Sequence, residues 1–585
     1  MSRLDGWSQA NQRLAAKMLA ELAHECVIRP TRSRGSYRVV CNGVSYRFEA
    51  DRLPLDHWRI REGSVVEEDT EQQVTDTASL FLNVAVELGV PAGVLESYLE
   101  EVIATASTLA YHFDHQRHDA SSLARADFQV VEASMSEGHP CFIANSGRIG
   151  FSQDDRLVYA PECGSEFAVI WLAGLRDRTI FACVDGLSYE TLLAEELGAE
   201  KLAAFNARLR ERGLDPSNYR FLPIHPWQWA NKIATSFADE IASDHLVFLG
   251  PSSDLYQPQQ SVRTLFNRSS PRRHYVKTAL SILNMGFVRG LSPTYMESTP
   301  AINQWLHQTL SGDPEFARFT VLREVAATGY RHPHFERAAP KSSAKRKMFA
   351  ALWRESPVAH AAPSSRLATM AALVHRDRSG RALLPALVEE SGLTPEAWLE
   401  RYLSVYLRPI LHCFFAHELV FMPHGENLIF ELERGIPIRA FIKDIGEEVL
   451  LFDTDRKLPE KVARIALEVD DTVRTSHILA DVFDSFLRFL ADVFDREQQL
   501  TAEHFWQTVR ECVQRYQADH PELDSRFARF DLFVPSFERL CLNRMQLKNN
   551  VQMLNLADPV ASFQFADALD NPIADVAEPV QRGVQ

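Results

Sequence analysis

Cysteine is sparse in this chain, with eight residues in 585, no CxxC pair and no zinc-ligand spacing. That excludes a disulfide framework and a zinc-ribbon reading. Cys26, Cys41, Cys141, Cys163, Cys183, Cys413, Cys512 and Cys541 read as small buried hydrophobes in a reducing compartment. No stretch of ~18 apolar residues runs without charge, so no membrane span is expected. The longest candidate, residues 411–422, is interrupted by His417 and Glu418. Residues 1–13 are polar and lack the apolar core of a signal peptide. These absences predict a soluble cytoplasmic protein. Excess positive charge is missing too. Lys plus Arg number 62 against 78 Asp plus Glu, a net charge of −16. That argues against nonspecific nucleic-acid binding, which needs a basic footprint, but allows a small anion in a local basic pocket. The chain has no GxxxxGK[ST], no GxGxxG opening a helix after a strand, no HExxH and no GxSxG. P-loop, dinucleotide-fold, zincin and nucleophile-elbow chemistry are therefore excluded.

What is present is an ordinary globular balance, 46% hydrophobic and 24% charged, at a length that allows about three to five domains. Residues 7–27 have helical spacing (Leu14, Met18, Leu19, Leu22). Tyr37, Val39 and Cys41, then Val44, Tyr46 and Phe48, alternate around Asn42-Gly43, which predicts a hairpin; residues 58–66 could add a third strand. Helices are expected at 73–110 (broken near Pro91), 163–174, 189–213, 300–310, 366–375 and 382–421, the last divided by Pro409. Two strands, at 428–432 and 438–442, are joined through Arg434-Gly435-Ile436-Pro437, and residues 457–552 return to helical periodicity. A composition shift near 350–365 marks a connection or domain boundary.

Two clusters carry chemistry. His424-Gly425-Glu426-Asn427 precedes one strand of the later hairpin, and Lys443-Asp444 ends the other. If the strands pair, Asn427 and Asp444 share an end, and an amide oxygen with a carboxylate suits Mg²⁺; protein kinases use an Asn and an Asp in this way around nucleotide phosphates. Alternation turns Glu426 to the opposite face unless the loop re-aims it. An ordinary surface turn fits the same residues. The second cluster is Ser261-Val262-Arg263-Thr264, then Lys277 and Arg289, in strand-like runs of an acidic chain. Buried cations need partners, and a polyphosphate is a fitting one; a solvated sheet face with paired carboxylates is the other reading. Gly138-His139-Pro140 and His225-Pro226 fix two imidazoles on restrained loops.

Taken in order, these segments resemble the IucA/IucC family of NRPS-independent siderophore synthetases. The matching pieces are Gly138-His139-Pro140 with Arg148 and Gly150, His225-Pro226, Ser261-Val262-Arg263-Thr264, Lys277, Asn284-Met285-Gly286-Phe287-Val288-Arg289-Gly290, Tyr295 to Asn303, His424-Gly425-Glu426-Asn427 and Lys443-Asp444. The resemblance implies an α+β cupped hand, with thumb at 1–138, fingers at 139–355 and palm at 356–585, acting as a homodimer. It implies an ATP- and Mg²⁺-dependent enzyme that adenylates a carboxylate, releases pyrophosphate and passes the acyl group to an amine or hydroxyl. By position, Ser261, Arg263, Thr264, Lys277, Arg289, His424, Asn427 and Asp444 would line the nucleotide site. Lys277, Arg289 and His424 would act catalytically on phosphate. Asn427 and Asp444, with Glu426, would hold the metal, and His139, Arg148, His225 and Lys548 would face substrate. The chain departs from many relatives at Glu426, where they carry Gln, and at Lys443, where they carry Arg. Residues 284–290 and 295–303 look most like members acting on a citrate or dicarboxylate derivative already condensed once, some of which join succinyl-bearing hydroxamate amines. First-step condensation of free citrate is the alternative within the family; a kinase-like phosphotransferase and a non-catalytic carboxylate-binding protein are the alternatives outside it.

Overall fold

The structure, a computed structural model, describes residues 6–554 and 560–574. The polar N-terminal end and the last residues of the expected palm lie partly outside those residues. The helix Trp7–His24 buries Leu14, Met18, Leu19 and Leu22 and packs against the helix Ala92–His115. Strand Ser36–Cys41 pairs antiparallel with Val44–Phe48. Asn42 (φ 48°) and Gly43 (φ 77°) both take the left-handed region between them, as a two-residue hairpin turn requires. The expected third strand divides in two. His57–Ile60 pairs with Ala50–Leu53 in a separate ribbon, and Val66–Glu67 joins the hairpin sheet.

Residues 163–174 are not helical. A 3₁₀ turn, Pro161–Cys163, is followed by strand Ile170–Leu175, the centre of a three-stranded antiparallel sheet between Tyr219–Ile224 and Leu246–Pro251. Residues 366–375 also differ from expectation: Arg366–Thr369 is a strand and Met370–Val374 a 3₁₀ helix. Both segments are short, nearly continuous apolar runs, for which periodicity cannot separate a buried strand from a buried helix. The 382–421 stretch forms three helices, Leu383–Ser391, Pro395–Val405 and Leu407–His417. Pro409 sits in the first turn of the third, where its missing N–H is harmless. The last helical stretch also holds one strand, Ser536–Leu540.

Two sheets position the site. A six-stranded antiparallel sheet runs, edge to edge, through Tyr256–Pro258, Thr264–Asn267, Tyr275–Thr278, Ala350–Arg354, Glu324–Tyr330 and Thr179–Cys183. One of its faces packs Leu265, Val276, Ala326 and Trp353 into a core with the helix Tyr189–Glu211. A four-stranded sheet contains the hairpin Leu428–Glu433 and Ile436–Ile442, flanked by Arg366–Thr369 and by Phe319–Val321. Phe319–Val321 runs parallel to Ile436–Ile442, so the middle segment of the chain contributes a strand to the sheet of the later segment. Helices separate from mostly antiparallel sheets make this an α+β fold. No helix among the described residues is long and apolar enough to cross a membrane.

Candidate nucleotide and metal site

Strand register builds the first wall. Thr264 is paired opposite Lys277, and Tyr275 opposite Arg354; Glu324 is also paired with Arg354. Directly opposed residues share a sheet face, as do residues two apart on one strand. Thr264, Lys277 and Arg354 therefore emerge on the face opposite the Val276/Trp353 core, and a register shift between Glu324 and Ala326 puts Glu324 on that face with Arg354 although Ala326 faces the core. All four are buried.

The hairpin supplies the second wall. Leu428 pairs with Ile442, and the Lys443 N–H donates to the Asn427 carbonyl at 3.0 Å, bringing the two ends together. Asp444 follows in the left-handed region (φ 63°) and caps the short helix Ile445–Glu448. That turn aims its carboxylate at the six-stranded sheet. Lys277 Nζ donates to Asp444 Oδ1 at 2.6 Å, Arg354 Nη1 lies 3.2 Å from the same oxygen, and Lys443 Nζ lies 3.3 Å from Oδ2. Glu447 approaches Lys277 (3.8 Å) and Arg263 (3.7 Å). Asn427 Nδ2 donates to the Met422 carbonyl at 3.1 Å and to Glu448 Oε2 at 2.5 Å. Gly446 permits the close packing: a Cβ there would lie 2.4 Å from Glu324 Oε2, which already accepts the Gly446 N–H at 2.9 Å.

Burial and charge work against each other here. Burial pulls Lys277 down, but Asp444 outweighs it and the ammonium sits above the ordinary lysine range. Burial pushes Asp444 up, yet Lys277, Lys443 and Arg354 hold it well below the usual carboxylate range. Glu448 is driven up to about 8 by burial and by the Asp444 charge. Arg289 is lowered to about 10 by burial and by Arg263, so it stays cationic at neutral pH. Arg263 Nη1 donates to the Gly290 carbonyl at 2.5 Å, which ties it to the loop of Arg289. Ser261 Oγ, Thr264 Oγ1, Arg263 Nε and Arg289 Nε are buried without a hydrogen-bond partner among the described residues.

A histidine corner adjoins this wall. The His139 and His424 rings lie 4.1 Å apart, and His139 Nε2 is 3.6 Å from Glu426 Oε2. The loop thus turns Glu426 toward Gly138 and His139, with its Oε1 where a Gly138 Cβ would stand. Burial and His139 drive His424 well below its ordinary range, keeping it neutral. Glu426 is held down at about 2, because His139 overcomes the effect of burial. Gly425 lets the loop seat against Ala371 and Phe486: a Cβ would lie 2.9 Å from the Phe486 ring and 3.0 Å from Ala371 Cβ. Gly425→Ala is therefore expected to cost about 1–3 kcal/mol by overpacking, read as a lower denaturation midpoint with unchanged m-value.

The remaining sequence candidates lie elsewhere or are already engaged. Arg148 (φ 49°) is buried, with Nη1 2.5 Å from both Glu162 oxygens. His225 caps the turn Pro226–Gln228, accepting the Trp227 N–H at 3.1 Å, and its rim is aromatic (Tyr159, Phe167). Burial lowers it to about 3. Lys548 is exposed at the end of the helix Leu542–Lys548, although the following residues lie beside the Arg289 loop through Met553 N–H to the Gly286 carbonyl at 3.0 Å. Sequence reasoning missed Arg354, Glu324, Glu447 and Glu448. Arg354 carried the signal used for Lys277, a cation ending an apolar strand (Ala350–Arg354), and Glu447-Glu448 follow Asp444 within one turn.

Comparison with known proteins agrees with this architecture. A profile described as the IucA/IucC family matches residues 127–375, and one described as ferric iron reductase FhuF-like transporter matches 396–555. Putrebactin synthase of Shewanella sp. (strain MR-4) is 46% identical over 97% of this chain and 91% of its own length. Among solved structures, aerobactin synthetase IucC from Klebsiella pneumoniae superposes with a TM-score of 0.84 at 27% identity, covering 97% of this chain and 98% of that one. ATP-bound aerobactin synthetase IucA from the same species shares the fold, with a TM-score of 0.74 at 19% identity over 97% and 99% of the two chains. With a relative this similar along nearly its whole length and a fold shared from end to end, the chain belongs to the IucA/IucC family of siderophore-biosynthesis synthetases.

Proposed function

We propose that this protein is an ATP-dependent synthetase that activates a carboxylate as its acyl-adenylate and condenses it with an amine or hydroxyl. The observation that carries this reading is the buried wall joining Lys277 and Arg354 of one sheet to Asp444 of the other, edged by Arg263 and Arg289. The unpartnered buried donors Ser261 Oγ, Thr264 Oγ1, Arg263 Nε and Arg289 Nε fit a polyphosphate, which supplies acceptors that water-free protein does not. Asn427 and Asp444 offer the hard oxygens Mg²⁺ takes, with Glu448 beside Asn427, whereas Glu426 is turned toward His139. Bound there, the ion would neutralise phosphate charge. The occurrence of this fold in ATP-bound aerobactin synthetase IucA supports ATP as the nucleotide.

In the first step a carboxylate oxygen forms a bond to the α-phosphorus and the bond to pyrophosphate breaks. Negative charge builds on the phosphoryl oxygens, and Lys277, Arg263 and Arg289 are fixed cations that stabilise it more than the ground state. In the second step the nucleophile attacks the acyl carbon, the bond to AMP breaks and the nucleophile loses a proton. The likeness of residues 284–290 and 295–303 to members acting on a citrate or dicarboxylate derivative already condensed once, some of which join succinyl-bearing hydroxamate amines, supports such an acyl donor over free citrate. An ATP–pyrophosphate exchange screen over citrate, 2-oxoglutarate, succinyl-hydroxamate amines and monocondensed citrates tests this reading. Exchange is expected with the succinyl-hydroxamate class. ADP with a phosphorylated product would instead identify a phosphotransferase, and carboxylate binding with no nucleotide turnover would identify a binding protein.

A further inference from the structure

A second cluster of ligand-type side chains lies outside the proposed active site. Asp313 follows the helix Thr299–Leu310, and His412 and His417 lie on the helix Leu407–His417. The Oδ2 of Asp313 is 2.9 Å from His412 Nε2 and 3.7 Å from His417 Nε2. One ligand atom from each residue falls within 4.8 Å of the other two.

Each donor is already oriented from behind. Asp313 Oδ1 accepts the Glu315 N–H at 2.9 Å, which leaves Oδ2 to face the imidazoles. His412 Nδ1 is 3.0 Å from the Tyr516 hydroxyl, the kind of partner that fixes the tautomer of a ligating histidine. His417 Nε2 is the telling atom: it is buried and aimed at Asp313, yet makes no hydrogen bond among the described residues. A buried polar nitrogen left unsatisfied is costly and calls for an explanation. His520 comes close, ring to ring 5.0 Å from His412, but is committed to Glu315 and Glu522. The Asp313 and His417 side chains keep 26% and 20% of their exposure, which leaves solvent a path to the cluster.

We propose that Asp313, His412 and His417 bind a borderline divalent ion of the Zn²⁺ class, tying the turn after Thr299–Leu310 to the helix Leu407–His417. Two imidazoles and one carboxylate are a common zinc donor set, with water completing four-coordination, whereas Mg²⁺ prefers oxygen ligands throughout. Coordination satisfies His417 Nε2 and replaces the His412–Asp313 hydrogen bond, with His412 Nδ1–H then donating to Tyr516. The tied helix leads directly through Leu419–Val420 to the loop of His424, so the ion would brace the scaffold from outside the active site.

The test is Zn²⁺ titration of the EDTA-stripped full-length protein by calorimetry, with Co²⁺ as a spectroscopic probe. One equivalent of Zn²⁺ and the intense visible absorption of four-coordinate Co²⁺ are expected. His412→Gln and His417→Gln should each weaken binding at least as much as the ~10–100-fold that loss of a supporting residue costs. Two controls localise the ion. His332→Gln removes the other converging group, Asp239, Glu240 and His332, whose Glu240 is already held by Arg178 at 2.5 Å. Asp444→Asn perturbs the proposed Mg²⁺ site. Neither should change the Zn²⁺ isotherm. If His412→Gln fails to fold, the more exposed His417→Gln carries the comparison. Absence of stoichiometric binding, or binding that survives His417→Gln but is lost with either control, overturns the proposal while leaving the synthetase reading untouched.

Discussion

Replacing Lys277 by alanine should lower carboxylate-dependent ATP–pyrophosphate exchange by about 10²–10³-fold, the range seen when a preorganised charge partner of a transition state is removed. Lys277 is 4% exposed and its ammonium is held at 2.6 Å by Asp444, so its desolvation and orientation are settled before substrate arrives. In a dry site its attraction for developing phosphoryl charge is much stronger than in water. Stability should suffer less than the ~3–5 kcal/mol expected when one partner of an isolated buried ion pair is removed. Asp444 keeps Arg354 at 3.2 Å and Lys443 at 3.3 Å. Lys277→Arg should recover only part of the rate, because the planar fork cannot occupy the position of a compact ammonium between Asp444 and Glu447. Exchange rates, nucleotide binding by calorimetry and thermal midpoints separate these effects. A folded Lys277→Ala protein that exchanges at the wild-type rate would rule the residue out of adenylation.

Lys277 and Asp444 also show what could be read without coordinates. A lysine inside an apolar strand and an aspartate ending another are local signals, because each breaks an otherwise buried pattern. That they touch across 167 positions of sequence is a property of how two sheets face each other, and no spacing encodes it. The hairpin 428–442 was legible because Arg434-Gly435 interrupts two apolar runs, and the structure gives both residues positive φ (49° and 76°). Ile170–Leu175 was not, because a fully buried central strand shows no alternation. Glu426 reads as a metal-side residue by adjacency to Asn427, whereas the loop carries it toward His139; tight-turn geometry decides this, and residue type does not. Arg148 stands in a glycine-flanked motif, but its partner Glu162 is one of many acidic residues that sequence alone cannot single out.

Glu101 supplies the second large effect, and it is one of stability. The side chain is fully buried on the helix Ala92–His115, where Gly147 allows the close approach: a Cβ there would stand 2.7 Å from Glu101 Cγ. Its Oε2 accepts from Gln546 at 2.7 Å, while Oε1 has no hydrogen-bond partner among the described residues. Burial drives the carboxyl up to about 8 even though Arg289 and its hydrogen bonds favour the ionised form. With the native pKa above the unfolded value of 4.5, the folded state binds more protons between pH 4.5 and 8. The sign follows from linkage: stability falls as pH rises through that window and is highest, as far as this group is concerned, below it. At about 1.4 kcal/mol per pH unit the whole span amounts to at most about 4–5 kcal/mol. Glu101→Gln keeps an acceptor for Gln546 and removes the ionisation. Unfolding free energies from denaturant melts should therefore be close for the two proteins at pH 5, with the variant ahead by up to about 4 kcal/mol at pH 8. Other titrating groups contribute equally to both proteins and cancel in the difference. Exchange activity should survive, because Glu426 and Glu448 still favour the charged form of Arg289 when Glu101 is replaced. Parallel stability curves from pH 5 to 8 would mean that the carboxylate is solvated or paired in the folded protein, and that the helix Ala92–His115 does not seal this position against the loop of Gly147.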